Sequence, residues 1–166
     1  KDVAVFYRTN NQSRSVEEVF IRRGVPYKVV GGTRFYERKE IKDVLSYLRA
    51  AQNPKSLIDI KRIINVPARG IGKVTIVKLF AEGLPAMPAH AGQAGKESLS
   101  GKALIAVTHF FDLLDRIRTY SSAHSVSETI RFIITESGME QSYKDESSST
   151  SGDGEERLEN LEELVT

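Results

Sequence analysis

The stretch that decides the fold runs from Asn65 to Thr75 and reads Asn-Val-Pro-Ala-Arg-Gly-Ile-Gly-Lys-Val-Thr. It separates two segments of helical periodicity, Lys55 to Ile64 and Lys73 to Ala81. Because a glycine stands on each side of one apolar residue, the backbone can turn tightly there while Ile71 fills the gap between the helices. The sequence therefore predicts two helices joined by a compact Gly-Ile-Gly turn.

The second helix of this pair begins next to Gly72 and presents its first N–H groups and the positive end of its dipole. Phosphate is the natural ligand of such an end. Arg69 and Lys73 flank the turn, and Thr75 adds a hydroxyl. The arrangement resembles a helix-hairpin-helix, a module that holds duplex DNA by its backbone. An ordinary glycine turn between core helices is the alternative interpretation.

Charge is divided unevenly between the two halves of the 166-residue chain, although the formal net charge is only +2. Residues 1–80 hold 17 Lys or Arg and 7 Asp or Glu, whereas residues 81–166 hold 7 and 15. This asymmetry predicts that the basic half faces a polyanion, and two solvated surfaces of opposite sign are the alternative. No apolar run reaches the roughly 20 residues that span a membrane. The absence of cysteine excludes disulfides and thiol catalysis.

The predicted fold class is mainly α, a helical bundle that contains the Gly-Ile-Gly turn and a short N-terminal β-α-β remnant. The strands of this remnant are predicted at Val3 to Tyr7 and Val25 to Val30, with a helix between them that stops at Gly24. Residues 83–100 and 144–154 are predicted loops. Further helices are predicted from Lys39 to Ala51, Lys102 to Tyr120, Ser125 to Glu136 with a Ser125–Glu128 capping box, and Glu155 to Val165.

No catalytic or metal-binding constellation is evident in the sequence. The segment Gly70 to Lys73 is too short for a Walker-type phosphate loop and follows a helix rather than a strand. The histidines are isolated: His109 is predicted at the core or boundary of its helix, and His90 and His124 in loops. We therefore expect no catalytic residue, no metal site and no cofactor within this chain.

Four collinear blocks carry a resemblance to a known family. They are residues 6–14 (FYRTNNQSR), 30–43 (VGGTRFYERKEIKD), 65–75 (NVPARGIGKVT) and 157–165 (RLENLEELV). These blocks are similar to those of the UvrD/PcrA/Rep family of superfamily 1 DNA helicases. The resemblance implies that residues 1–28 end the first part of the RecA-like motor domain 2A. It further implies that residues 29–166 form the accessory 2B subdomain, truncated at its C-terminus.

The same resemblance implies that the parent protein is an ATP-dependent 3′-5′ DNA helicase. Its ATP and Mg would bind outside this chain, so the chain alone is expected to be inactive. Arg8 and Asn10 are expected to contact single-stranded DNA, and Gly31 with Gly32 is expected to form a hinge. The expected duplex contacts are Arg69, Gly70, Ile71, Gly72, Lys73 and Thr75.

The implied function is sequence-independent clamping of duplex DNA during repair or replication. DNA, the other domains of the same helicase and repair proteins are the expected partners, with no membrane, in the bacterial cytoplasm at the nucleoid. One alternative is an autoinhibitory or protein-interaction module that docks on the motor domains. Another is a nuclease or glycosylase, for which only Asp59 and Lys61 lie near the turn. Arg34, Arg38 and Lys39 either extend the basic face or form ion pairs with Glu37, Glu40 and Asp43.

Overall fold

A computed structural model of the chain describes residues 3–9, 12–81, 101–148 and 153–166. Over these residues the secondary structure is helical and contains no β-strand, which confirms the mainly α class. A short 3-10 helix spans Phe35–Glu37. The α-helices are α1 (Ser13–Arg23), α2 (Lys39–Gln52), α3 (Leu57–Ile63), α4 (Lys73–Ala81), α5 (Gly101–Ser121), α6 (Val126–Glu136), α7 (Met139–Ser148) and α8 (Asp153–Val165).

The chain forms two compact units. The first contains Lys1–Lys42 and Tyr143–Thr166, and the second contains Asp43–Ser142. The chain therefore leaves the first unit within α2 and returns to it within α7. The boundary expected after residue 28, between domain 2A and subdomain 2B, stays a prediction.

Local sequence signals set several helix ends. Gly24 adopts a left-handed conformation (φ 63°) and ends α1, where its N–H donates to the carbonyls of Ile21 and Phe20. The Ser125–Glu128 capping box forms as predicted at the start of α6. Gly138 (φ 82°) separates α6 from α7. These ends agree with the sequence because caps depend on neighbouring residues alone.

The core of the second unit is apolar. Helix α5 packs on α6, and its buried apolar side chains lie between Val107 and Ile117. Ile105 is 58% exposed, and His109, which was predicted at the core or boundary of this helix, is exposed as well. The buried apolar side chains of this unit include Val44, Tyr47, Ile60, Ile63, Ile64, Ile71, Phe110, Phe111, Leu114, Ile117, Ile130, Ile133 and Met139.

The first unit contains a buried polar network. Arg38, only 8% exposed, donates to the Asn160 side-chain oxygen and to Ser13 Oγ (3.0 Å). Asn160 in turn donates to Glu40 Oε1 at 2.8 Å. Because buried polar groups are costly unless they are hydrogen bonded, this network fixes α8 against the start of α2 and α1.

The predicted strands are absent from the described residues. Neither Val3 to Tyr7 nor Val25 to Val30 forms a strand, although helix α1 lies between them as expected. Val3, Phe6 and Val30 are 86%, 92% and 83% exposed. A strand requires a hydrogen-bonded neighbour, and the described residues offer none, so β-propensity alone does not produce a sheet here.

The predicted loop over residues 144–154 also differs. Helix α7 continues to Ser148, and α8 begins at Asp153. Tyr143 anchors α7 because it is 5% exposed and lies 5.5 Å from the Arg157 guanidinium. The polar composition of residues 144–154 favoured a loop, whereas the contacts that hold α7 come from residues that flank this segment. The loop predicted over residues 83–100 lies outside the described residues.

Replacing Asn160 by alanine tests the polar network. Arg38 would lose an acceptor and Glu40 a donor, so the free energy of unfolding of the first unit should fall by about 2–3 kcal/mol. Urea-induced unfolding measures this change. The matched control is Glu159→Ala, whose exposed side chain in the same helix should matter by less than about 0.5 kcal/mol. Equal effects of the two variants would contradict the network.

Candidate nucleic-acid interface

The Gly-Ile-Gly turn lies between α3 and α4. Gly70 takes a positive φ of 73°, a conformation that suits glycine because it has no side chain. Ile71 is completely buried, whereas Gly70 and Gly72 are exposed. The turn thus holds one apolar side chain inward and leaves the glycine backbone at the surface.

Asn65 organises the backbone of this turn. Its side-chain oxygen accepts the N–H of Arg69 at 2.7 Å and the N–H of Ile71 at 3.3 Å. Sequence reasoning missed this role. The available signal was an asparagine at the start of a Pro- and Gly-containing turn, where the short amide commonly bonds nearby N–H groups.

Arg69 is directed into the protein. Its guanidinium donates to the carbonyl oxygens of Pro67 and Ser137, each at 2.9 Å, and more weakly to that of Ile63 at 3.5 Å. It also lies 5.8 and 5.9 Å from the ring centres of Tyr47 and Phe110. The phosphate contact expected of Arg69 stays a prediction, and in this structure its guanidinium is hydrogen bonded to backbone carbonyls.

Tyr47 supports the other side of the turn. This fully buried residue of α2 donates its hydroxyl to the carbonyl of Val66 at 2.5 Å. Burial raises the pKa of Tyr47 to about 12, and the nearby Arg69 cation partly opposes that rise. The phenol is therefore neutral and remains a donor throughout the physiological range.

The N-terminal end of α4 is open at the surface. Its first helical hydrogen bond runs from the Ile76 N–H to the Gly72 carbonyl at 3.0 Å. The N–H groups of Lys73, Val74 and Thr75 therefore precede the helical ladder. Lys73 is exposed and Thr75 is half-buried. Dipole, N–H groups and one ammonium together suit an anion at this end.

The surrounding stretch is strongly basic. Residues 43–81 contain seven Lys or Arg and two Asp. Both carboxylates are paired, Asp43 with Arg62 (2.7 Å) and Asp59 with Arg49 (2.9 Å). Each acid is thereby neutralised by an arginine, and the excess of positive charge remains on the four lysines and Arg69.

Asp59 and Lys61, the residues named near the turn for the nuclease or glycosylase alternative, each contact other side chains. Burial raises the pKa of Asp59, but hydrogen bonds from Arg49, Ser56 and Ser46 outweigh it and lower the pKa below its usual value. Lys61 lies over the Phe80 ring at 4.8 Å. Across the described residues, no group of three or more His, Cys, Asp or Glu side chains could hold a metal ion.

Arg8, the expected contact to single-stranded DNA, is exposed. The Gln12 side-chain oxygen accepts the N–H groups of Arg8 (3.0 Å) and Thr9 (3.4 Å), which closes the turn before α1. Asn10 lies outside the described residues. The Gln12 side chain thus holds the backbone of Arg8 and Thr9, and the Arg8 side chain lies at the surface.

Gly31 and Gly32 lie in an exposed segment, and Gly31 has a positive φ of 83°. The carboxylate of Glu17, which is 3% exposed, accepts the Tyr27 hydroxyl at 2.9 Å and the Phe35 N–H at 3.2 Å. The segment is thereby fixed to α1 on both sides of the glycines. Beyond it, Arg34 pairs with the nearby Glu37 (3.9 Å), whereas Arg38 joins the buried network through Asn160.

No helix within the described ranges is both long and apolar enough to cross a membrane. Fold and site together define a mainly helical domain with a basic Gly-Ile-Gly turn. The UvrD-like helicase C-terminal domain matches residues 1–87. The chain belongs to this family.

Relatives match the chain along nearly all of its length. The ATP-dependent DNA helicase UvrD1 of Mycobacterium tuberculosis is 42% identical over 99% of this chain. DNA helicase II of Haemophilus influenzae is 39% identical and PcrA of Bacillus subtilis 36% identical, also over 99% of the chain. The chain spans only 22% or 23% of the length of these relatives. The predicted kinship with UvrD and PcrA helicases is confirmed.

Replacing Tyr47 by phenylalanine tests the support beneath the turn. The Val66 carbonyl would lose its donor, so the unfolding free energy at pH 7 should fall by about 1 kcal/mol. Thermal unfolding measures this loss. Tyr7→Phe, which changes a residue 36% exposed, should leave the midpoint unchanged and serves as the control.

The same variant should also alter the alkaline stability profile. The unfolded phenol ionises near its ordinary pKa of 10.0, whereas the folded Tyr47 ionises at about 12. Stabilisation by the neutral form is therefore complete below pH 10 and is lost as the pH rises to 12. The difference between these two pKa values corresponds to a loss of at most about 3 kcal/mol of unfolding free energy. An identical decline in Tyr47→Phe and in the unaltered chain would contradict this assignment.

Proposed function

We propose that this chain is the duplex-contacting accessory subdomain, 2B, of an ATP-dependent 3′-5′ DNA helicase, with a piece of motor domain 2A. The observation that carries the proposal is the open N-terminal end of α4 with exposed Lys73 beside the Gly-Ile-Gly turn. Membership in the UvrD-like helicase family and the excess of cations over residues 43–81 support it.

The clamp would act on the DNA backbone. A phosphate at the start of α4 would meet the N–H groups of Lys73, Val74 and Thr75 and the Lys73 ammonium. Gly70 and Gly72 would let the phosphate approach because neither has a side chain. Ile71 would contribute indirectly, by holding the turn in the core. Such contacts read no bases, so binding would be nearly independent of sequence and sensitive to salt.

The remaining parts of the chain would serve the whole helicase. Arg8 and Asn10 would contact the single strand in domain 2A, and Gly31 with Gly32 would form the hinge. The N-terminal segment, whose Val3 and Phe6 side chains are exposed here, would pair as a strand within the sheet of that motor domain. ATP and Mg would bind in the rest of the protein, since this chain spans about a fifth of its relatives. The setting would be DNA repair or replication in the bacterial cytoplasm, at the nucleoid.

A second candidate function is docking on the motor domains or on a repair protein. The observation that favours it is apolar exposure on the helices flanking the turn. Ile58 is 84% exposed, and Val74 and Val77 on α4 are 71% and 67% exposed. Scattered exposed apolar side chains are common in monomeric proteins, so the basic helix end is the stronger argument.

Replacing Lys73 by alanine tests the clamp. Fluorescence anisotropy with a short duplex at several salt concentrations gives the slope of log Kobs against log salt. Removing one phosphate contact should reduce the magnitude of that slope by about 1. The matched control is Lys102→Ala, which removes an exposed lysine at the start of α5. Equal slopes in both variants would favour the docking function.

A further inference from the structure

We propose that Arg69 is a positioning residue that ties the Gly-Ile-Gly turn to the corner between α6 and α7, and that it does not contact phosphate. The inference deepens the proposed function, since it assigns the construction of the same clamp. It also reverses the role expected from sequence for this arginine. The inference rests on the groups that contact the guanidinium and the backbone of Arg69.

The guanidinium is committed to backbone carbonyls. Pro67 lies within the turn, Ile63 ends α3, and Ser137 follows α6. These acceptors come from separate parts of the second unit, and a planar group with five N–H donors can reach them together. A guanidinium turned outward to a phosphate would leave these carbonyls without that donor. The inward arrangement therefore opposes a direct contact with DNA.

The Ser137 carbonyl is a favourable partner for the Arg69 guanidinium. It is the C-cap residue of α6, where the helix dipole is negative and the last carbonyls lack helical partners. A cation at that carbonyl is favourable because it interacts with the negative end of the dipole and gives the carbonyl a hydrogen-bond donor. Gly138 follows with a φ of 82° and leads directly into α7. Arg69 thus joins the turn to a helix corner 68 residues away in sequence.

The backbone of Arg69 is fixed from the other side. Its N–H donates to the Asn65 oxygen, which also receives the Ile71 N–H. The rings of Tyr47 and Phe110 lie within 6 Å of the guanidinium and limit its movement. Lysine carries the same charge but cannot reproduce the planar fork that this set of carbonyls requires.

Comparison of Arg69→Lys with Arg69→Ala separates positioning from contact. Hydrogen exchange of the Ile71 amide in the DNA-free chain reports the order of the turn. If Arg69 positions the turn, both variants should speed that exchange by about tenfold relative to amides in the α5 core, and both should weaken duplex binding. If Arg69 contacts phosphate, Arg69→Lys should keep the original exchange rate and affinity. That second result would overturn the proposal.

Lys73→Ala is the internal control for these measurements. It should alter the salt dependence of binding while leaving Ile71 exchange unchanged, because Lys73 is exposed outside the set of contacts around Arg69. Failure of the unaltered chain to bind duplex would defeat the proposed function. The exchange measurements would still decide the role of Arg69, so the two failures can be distinguished.

A variant that keeps Arg69 tests the link to the helix corner and covers the case in which Arg69 variants fail to fold. Gly138→Ala introduces strain at a positive φ without a steric clash, since nothing lies within 4 Å of the added carbon. It should speed Ile71 exchange if the corner and the turn are joined. Gly24→Ala introduces comparable strain in the first unit, also without a clash, and should not affect Ile71. Equal exchange in the two glycine variants would overturn the linkage.

Discussion

The loop between α3 and α4 has to bury Ile71 without leaving the carbonyls around it unpaired. Three side chains from different places meet that constraint: Asn65 binds the N–H groups, while Tyr47 and Arg69 bind the carbonyls. Because an unpaired buried polar group costs free energy, these side chains help to fix the loop together with the apolar contact of Ile71. Once the loop is fixed, α4 begins at Lys73 with its first N–H groups at the surface.

The same principle of paired polar groups orders the first unit. Glu17 holds Tyr27 and Phe35 on either side of the Gly31–Gly32 segment, and Arg38 joins Asn160 and Ser13. A hinge at the glycines would therefore bend between two fixed points rather than along a free linker. Within the second unit, polar side chains likewise define the turn while the apolar residues supply most of the buried surface.

Sequence alone predicted the helical class, the Gly24 and Ser125–Glu128 helix ends and the burial of Ile71, because each follows from local periodicity or capping. Prediction from the sequence failed where the interacting residues are far apart along the chain. The strands at Val3 to Tyr7 and Val25 to Val30 need a neighbour that the described residues lack, and the polarity of residues 144–148 hid the continuation of α7. The hydrogen bond from Arg69 to the Ser137 carbonyl was also missed, because the two residues lie 68 positions apart in sequence. Exposure of Lys73, by contrast, agrees with the expected contact surface.

We propose that the surface formed by the Gly-Ile-Gly turn and the first turn of α4 receives a DNA phosphate. The most direct measurement is an NMR titration of the isotopically labelled chain with duplex DNA, following every backbone amide. If the phosphate binds there, the largest chemical-shift changes should occur at Gly70, Gly72 and residues 73–75, alike for duplexes of unrelated sequence. Changes concentrated on α5 and α6, with the turn unaffected, would contradict it.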